Sequence, residues 1–312
     1  MRAIAVFCVA LVLGSSTYAS AQPAINSVVV FGDSLSDPGN GFVFTKASAT
    51  PPDYSVNQLL IPSLPYARGG HHLTNGETWI EQLGRSLGLS RSVRPAFQGS
   101  NPFAMNFAVA TARARDDGEN PSLSLLVETF LQKTGGVAPA DALYVIQIGG
   151  NDLRDAIEAA LNLQNPLPIL QEAAAAIAAN ISVLQAAGAQ QFLVWNVPNA
   201  GLTPAVSIIG TQVPGAALAA TALTEAFNGL IAGSIAITGV PVVGFDVFGL
   251  LTTIAGSPSQ FGLTNTTSAC ITPNVPPFSC TKPDQYLFWD GIHPTTAAHG
   301  IIAQAVAQLL GF

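Results

Sequence analysis

Ser34 stands in Phe31-Gly32-Asp33-Ser34-Leu35-Ser36-Asp37-Pro38-Gly39-Asn40, directly after an apolar, β-branched run that reads as a buried strand. A hydroxyl there becomes a nucleophile only if a base takes its proton and donors hold the oxyanion that forms. The chain offers residue types for both tasks. In Asp290-Gly291-Ile292-His293-Pro294 a carboxylate lies three residues before an imidazole, close enough to hold Nδ1 and leave Nε2 for the serine. Asp290 can equally be read as a helix cap. Gly149-Gly150-Asn151-Asp152 places an amide at a strand-to-helix turn, where it can donate to an oxyanion or cap the helix. Asn106 to Ala112 closes another apolar run with small residues whose backbone N–H groups could approach the same place.

These residues must be positioned by elements that share one edge. Apolar runs at Ile25 to Phe31, Ala104 to Val109, Ala142 to Ile148, Gln191 to Val197 and Val240 to Phe245 alternate with segments of helical period. That alternation predicts an α/β fold with one parallel sheet, whose carboxyl edge is the ligand-binding edge. Helices are expected at Glu77 to Leu87, from a cap at Asn120 with Pro121 in the first turn, across Asp152 to Gly188 in two pieces broken near Pro166 and Pro168, within Pro214 to Ile235, and from Pro294 to Leu309. Residues 198 to 212 and 255 to 284 read as irregular. The Pro- and Gly-rich excursion from Asn40 to Gly76 carries Phe42, Phe44, Tyr54 and Tyr66 and is expected to pack over the site.

Composition narrows the partners. With 11 Lys and Arg against 18 Asp and Glu, and a net charge of -7, the chain has no basic stripe for phosphate backbones, which argues against nucleic acid. Residues 1 to 21 read as a signal peptide, with Arg2, an apolar stretch from Ala3 to Leu13, and cleavage after Ala21. A secreted or periplasmic protein is therefore expected, organised as one domain over 22 to 312 with no transmembrane segment, since no later stretch reads as long and uninterrupted enough to span a bilayer. Cys270 and Cys280 flank a Pro-rich loop; in an exported chain they read as a disulfide, the alternatives being free thiols or a metal pair short of ligands.

The blocks around Ser34, Asn106 to Ala112, Asn151 and Asp290 to His293 occur in one order across residues 28 to 295, and together they resemble the SGNH hydrolases, the GDSL lipase/esterase family. The Phe-Gly-Asp-Ser-Leu-Ser-Asp start and the Asn75 to Trp79 segment are similar to the branch of secreted bacterial phospholipases, lecithinase-haemolysins and plant lipases. The resemblance implies a flavodoxin-like three-layer α/β/α sandwich with a five-stranded parallel sheet. It also implies Ser34 as nucleophile, His293 as base, Asp290 as orienter, and Ser34, Ala110 and Asn151 as oxyanion donors. Ala110 departs from the family, which carries glycine there.

The expected activity is hydrolysis of carboxylic esters, of lipids or short-to-medium acyl chains, by a monomer without metal or cofactor that makes at most transient contact with lipid surfaces. A carbohydrate O-acetylesterase, an acyltransferase using the same residues and a non-catalytic surface protein are the rival readings. His71 and His72 read as a solvated loop, His299 as a surface or groove residue, and Arg113, Arg115, Asp116, Asp117 and Glu119 as an exposed charged loop that could bring an arginine to the border of the site.

Overall fold

The computed structural model describes residues 24–99 and 101–312. The signal peptide and cleavage point expected in residues 1 to 21 lie outside them. In chain order the elements are β1 (Ser27–Gly32), α1 (Asn40–Thr45), α2 (Trp79–Ser86), α3 (Leu123–Lys133), β2 (Ala142–Gln147), α4 (Gly150–Leu161) and α5 (Leu167–Ala186). There follow β3 (Gln191–Trp195), α6 (Pro204–Gly210), α7 (Ala216–Thr238), β4 (Val243–Phe245), α8 (Val247–Gly256), β5 (Asn265–Ala269), β6 (Tyr286–Phe288) and α9 (Thr296–Leu309).

Strands β1, β2, β3 and β4 form one parallel sheet in that order, with Val29 beside Tyr144 and Val145 beside Leu193. Their side chains alternate between two cores. Val29, Phe31, Tyr144, Ile146, Phe192 and Val194 pack under α3, α4, α5 and α7. Val28, Val30, Leu143, Val145, Leu193 and Trp195 pack under α2, α8 and α9. Both faces of the sheet are thus covered, giving three layers, and the strands read as continuous apolar runs for that reason.

The sheet has four strands, not the five expected. Ala104 to Val109 does lie along the outer edge of β1, where the Val30 and Phe107 N–H groups donate to Met105 and Val30 carbonyls at 3.0 and 2.8 Å. The Val109 N–H also donates to the Gly32 carbonyl at 3.0 Å, but strand geometry against β1 is met only at the isolated parallel bridge between Val30 and Asn106, so this segment is an irregular edge rather than a fifth strand. Asn106 turns its own carbonyl amide oxygen onto the Ala108 N–H at 2.9 Å, while the Asn40 amide donates to the Asn106 and Ala108 carbonyls at 2.8 Å each. Asparagine offers the backbone a local alternative to a strand partner.

Three other expectations are corrected. α3 is capped by Ser122, whose hydroxyl accepts from Leu125, rather than by Asn120. Residues 204 to 210, expected to be irregular, form α6 behind a Thr203 cap. Finally, α5 and α7 do reach the length and hydropathy of a bilayer-spanning helix, with mean hydropathy of 1.5 and 1.3. Both are cover helices here: Ile177, Ile181, Phe227 and Ile231 on them belong to the core beneath the sheet.

Candidate active site

β1 delivers Ser34 to the carboxyl edge of the sheet, and buried polar contacts brace the turn that follows. The Asp33 N–H donates to the Gln147 carbonyl at 3.2 Å, and the Asp33 carboxylate accepts from the Gln147 amide and the Leu35 N–H. Burial raises the Asp33 pKa, against the pull of Gln147, Leu35, His293 and Gly150. Ser36 donates to Gln147 at 2.7 Å and accepts from the Trp79 indole at 2.9 Å. Ser34 itself remains half-buried and lines the cleft.

Asp290 and His293 meet this serine from the segment before α9. The Asp290 carboxylate is buried; one oxygen accepts from the Ile292 and His293 N–H groups at 2.9 and 2.8 Å. The other lies 2.7 Å from His293 Nδ1. With Nδ1 carrying the proton toward the carboxylate, Nε2 is left to accept from Ser34 Oγ at 2.9 Å. Asp290 does not cap α9, which is capped by Thr295. Gly291 fits because the chain around Leu59 runs against it, and a Cβ would collide with the Leu59 carbonyl.

Tyr66 supplies a contact with no sequence signal beyond its apolar weight. Its phenol donates to Asp290 at 2.8 Å, and burial together with the Asp290 charge holds its pKa far above the ordinary value, so it acts only as a donor. The ring packs with Tyr54, Trp289, Cys270 and Ile271, and Cys270 is joined to Cys280 by a disulfide. The excursion between β1 and α2 therefore reaches beneath the aspartate, and its Leu59 and Ile61 form part of the cleft wall.

The oxyanion side differs from expectation. Asn151, in the first turn of α4, sends its amide to the Ala112 carbonyl at 2.9 Å and the Ala110 carbonyl at 3.3 Å, so it does not cap that helix. Gly149 precedes it at φ +118, and a Cβ there would press on Phe227 and Val197 at 3.1 Å. The Ala110 N–H is already committed: it donates to Asp37 at 2.9 Å. Asp37 also gathers the N–H groups of Gly39, Asn40 and Gly41, and burial pushes its pKa up to about 6 against those bonds. Ala110 is thus corrected from free oxyanion donor to a link that pins two loops together. Among the described residues, the N–H groups of Ser34 and Thr111 have no protein acceptor, and both residues line the groove beside Asn151.

Of the remaining marked residues, Asp116 and Glu119 are exposed as expected, whereas His72, His299 and Arg113 are buried and His71, Arg115 and Asp117 are half-buried. His72 is buried between the Gly69 carbonyl at 2.7 Å and the Glu81 carboxylate at 3.0 Å. His299 is buried in α9 with Nδ1 unpartnered, and burial lowers its pKa to about 3, with His293 and His72 adding to the effect. Arg113 clasps Asp155 through two bonds of 2.9 and 3.0 Å, and Arg115 bonds the same carboxylate at 2.5 Å. No group of three or more potential metal ligands occurs among the described residues.

An α/β protein with a Ser–His–Asp relay at the carboxyl edge of its parallel sheet has the organisation of an acyl-transferring hydrolase. The chain belongs to the GDSL-like lipase/acylhydrolase family, whose sequence model matches residues 28–306. It is similar to an uncharacterized protein of the trpE-trpG intergenic region of Pseudomonas putida, with 27% identity over 96% of this chain and 51% of that protein. A thermolabile hemolysin of Vibrio parahaemolyticus is 25% identical over 94% of this chain and 66% of its own length. A phosphatidylcholine-sterol acyltransferase of Aeromonas hydrophila is 26% identical over 94% and 92%. The chain spans about half of the Pseudomonas protein and just under two thirds of the Vibrio one.

Proposed function

We propose that the protein is an exported serine ester hydrolase acting on lipid or other aliphatic esters. The observation that carries this reading is the unbroken path from Ser34 Oγ to His293 Nε2 at 2.9 Å and from Nδ1 to Asp290 at 2.7 Å. In the proposed reaction Ser34 attacks the ester carbonyl as His293 takes its proton. Asp290 holds the imidazole, and His293 then returns the proton to the leaving alcohol. Water repeats the sequence on the acyl-enzyme, with His293 as base again.

The oxyanion forms among the Ser34 N–H and the Asn151 amide. The Asn151 contact to Ala110 is long for a hydrogen bond, so that N–H can turn to the oxyanion while the shorter bond to Ala112 keeps the side chain in place. Thr111 stands in for the donor expected of Ala110. An apolar pocket lined by Leu153, Ile157, Val197, Val206 and Ile209 adjoins Ser34 and suits an acyl chain better than a sugar. Export is supported by the signal-peptide pattern and by the Cys270–Cys280 disulfide.

Replacing Ser34 by Ala is expected to abolish hydrolysis of a short p-nitrophenyl ester while leaving the melting temperature intact; an undiminished rate would sink the assignment. The name of the Aeromonas relative favours one second reading, acyl transfer to an alcohol other than water. New ester formed when an alcohol is added to the assay would identify it.

A further inference from the structure

Arg154 of α4 is a guanidinium without a partner among the described residues. Arg154 is partly buried and lines both the apolar pocket beside Ser34 and the adjoining groove past Phe44 and Leu64. Among the described residues its guanidinium makes no hydrogen bond and no ion pair, whereas Arg113 and Arg115 are paired, Arg85 meets Glu77, and Arg68, Arg91 and Arg94 are exposed. Of the carboxylates near it in sequence, Asp155 is taken by Arg113 and Arg115 and Asp152 by the Ala114 and Arg115 N–H groups, while Glu158 is exposed and makes no bond to it. Burial holds the Arg154 pKa below its ordinary value, and Arg113 adds to this against Asp155, Glu158 and Asp33. An arginine does not give up its proton in a protein, so a screened, unpaired guanidinium is a standing cost to the fold.

The cost is placed where a ligand could repay it. Arg154, Ser34, Asn151 and His293 all border both cavities, which puts the cation at the junction between the acyl pocket and the groove open to the alcohol portion of an ester. Its planar fork matches the oxygens of a phosphate or carboxylate. The net charge of -7 gives the whole molecule no general attraction for anions, so any selection of one must be local.

We propose that Arg154 is a specificity residue that binds an anionic oxyacid group, phosphate or carboxylate, carried by the substrate on the alcohol side of the scissile ester. The cleft then selects acidic amphiphilic esters over neutral ones of the same acyl chain. This rests on Ser34 as the nucleophile, and its test includes a measurement that does not.

Acyl release is compared for decanoyl glycerol phosphate, O-decanoyl lactate and neutral monodecanoylglycerol. Arg154→Gln is expected to lower kcat/KM roughly 10- to 100-fold on the anionic esters, and by less than about threefold on the neutral one. A loss confined to the phosphate ester or to the lactate ester identifies which oxyacid the site takes. Arg154→Lys, which keeps the charge but not the fork, should retain an intermediate preference. Separately, decyl phosphate is titrated calorimetrically into Ser34→Ala and into the Ser34→Ala, Arg154→Gln double variant. Binding should weaken at least about 10-fold in the second, whatever the catalytic outcome. Decyl phosphate binding that depends on Arg154 in a protein whose Ser34→Ala change leaves hydrolysis untouched would unseat the nucleophile and keep the anion site. Equal losses on charged and neutral esters, no loss on any, or binding indifferent to Arg154 would each overturn the proposal.

Discussion

Two histidines of this protein are each bound to a carboxylate and each buried, yet only one is arranged to move a proton. His293 has Asp290 on Nδ1 and a hydroxyl on Nε2, so its second nitrogen faces a group that can donate. His72 has the Gly69 carbonyl on Nδ1 and Glu81 on Nε2, so both nitrogens face acceptors, an arrangement that favours the protonated ring. Burial lowers the His72 pKa, but the bond and charge of Glu81 outweigh it and raise the value overall. The pair fastens the residues before α2 to that helix, where Glu81 also accepts from the Thr78 N–H and hydroxyl. What separates a base from a strut is therefore the partner of the second nitrogen, not burial or the presence of an acid.

The sharpest way to break this contrast is substitution at both sites. His293→Gln should lower ester hydrolysis by roughly 10³- to 10⁴-fold or more in a folded chain. His72→Gln should shift the melting temperature and leave kcat within about threefold of the parent. A folded His72→Gln protein that had lost hydrolysis would erase the distinction.

A smaller effect is expected at Tyr66, which shares Asp290 with His293. Tyr66→Phe removes one donor from the aspartate and should lower kcat about fivefold, with KM little changed, as measured in initial-rate kinetics. An unaltered kcat would show that the phenol only fills space.

The smallest effect concerns stability alone. Glu81 has its pKa lowered by His72 and the Thr78 donors despite burial, so its contribution is present above 4.5 and is lost as pH falls through its folded value. The raised His72 contributes fully below 6.5 and is lost as pH rises through its folded value. The pair is therefore strongest between these limits. Glu81→Gln should cost about 1–2 kcal/mol there and less on either side, read from denaturant unfolding across pH. A cost independent of pH would show that charge plays no part.

Sequence reading reached these sites unevenly, according to the distance over which each is defined. Asp290 and His293 lie within one turn of chain, and Ser34 and Asn151 each sit where an apolar strand gives way to a turn, so local pattern marks all four as candidates, and their occurrence in one order along the chain is what separates these readings from helix caps. Whether the Ala110 N–H is free depends on Asp37, seventy-three residues away in the chain. The isolation of Arg154 depends on which arginines claim Asp155, and the support from Tyr66 crosses 224 positions. The segment 104 to 109 has strand composition and keeps bonds to β1, but Asn40 takes its outward-facing carbonyls, an arrangement that no period of apolar residues encodes.

The excursion between β1 and α2 fixes how substrate arrives. Its Leu60 carbonyl accepts from the Gly291 N–H at 2.9 Å, and Tyr66 is tied to the aspartate itself. Swinging this wall outward would break both bonds beside the relay, so the proposed hydrolase is expected to work without a shutter that a lipid interface pries open. For the proposed hydrolase, turnover is then expected to track the concentration of dispersed ester, without the surge at the onset of aggregation that a hinged cover produces.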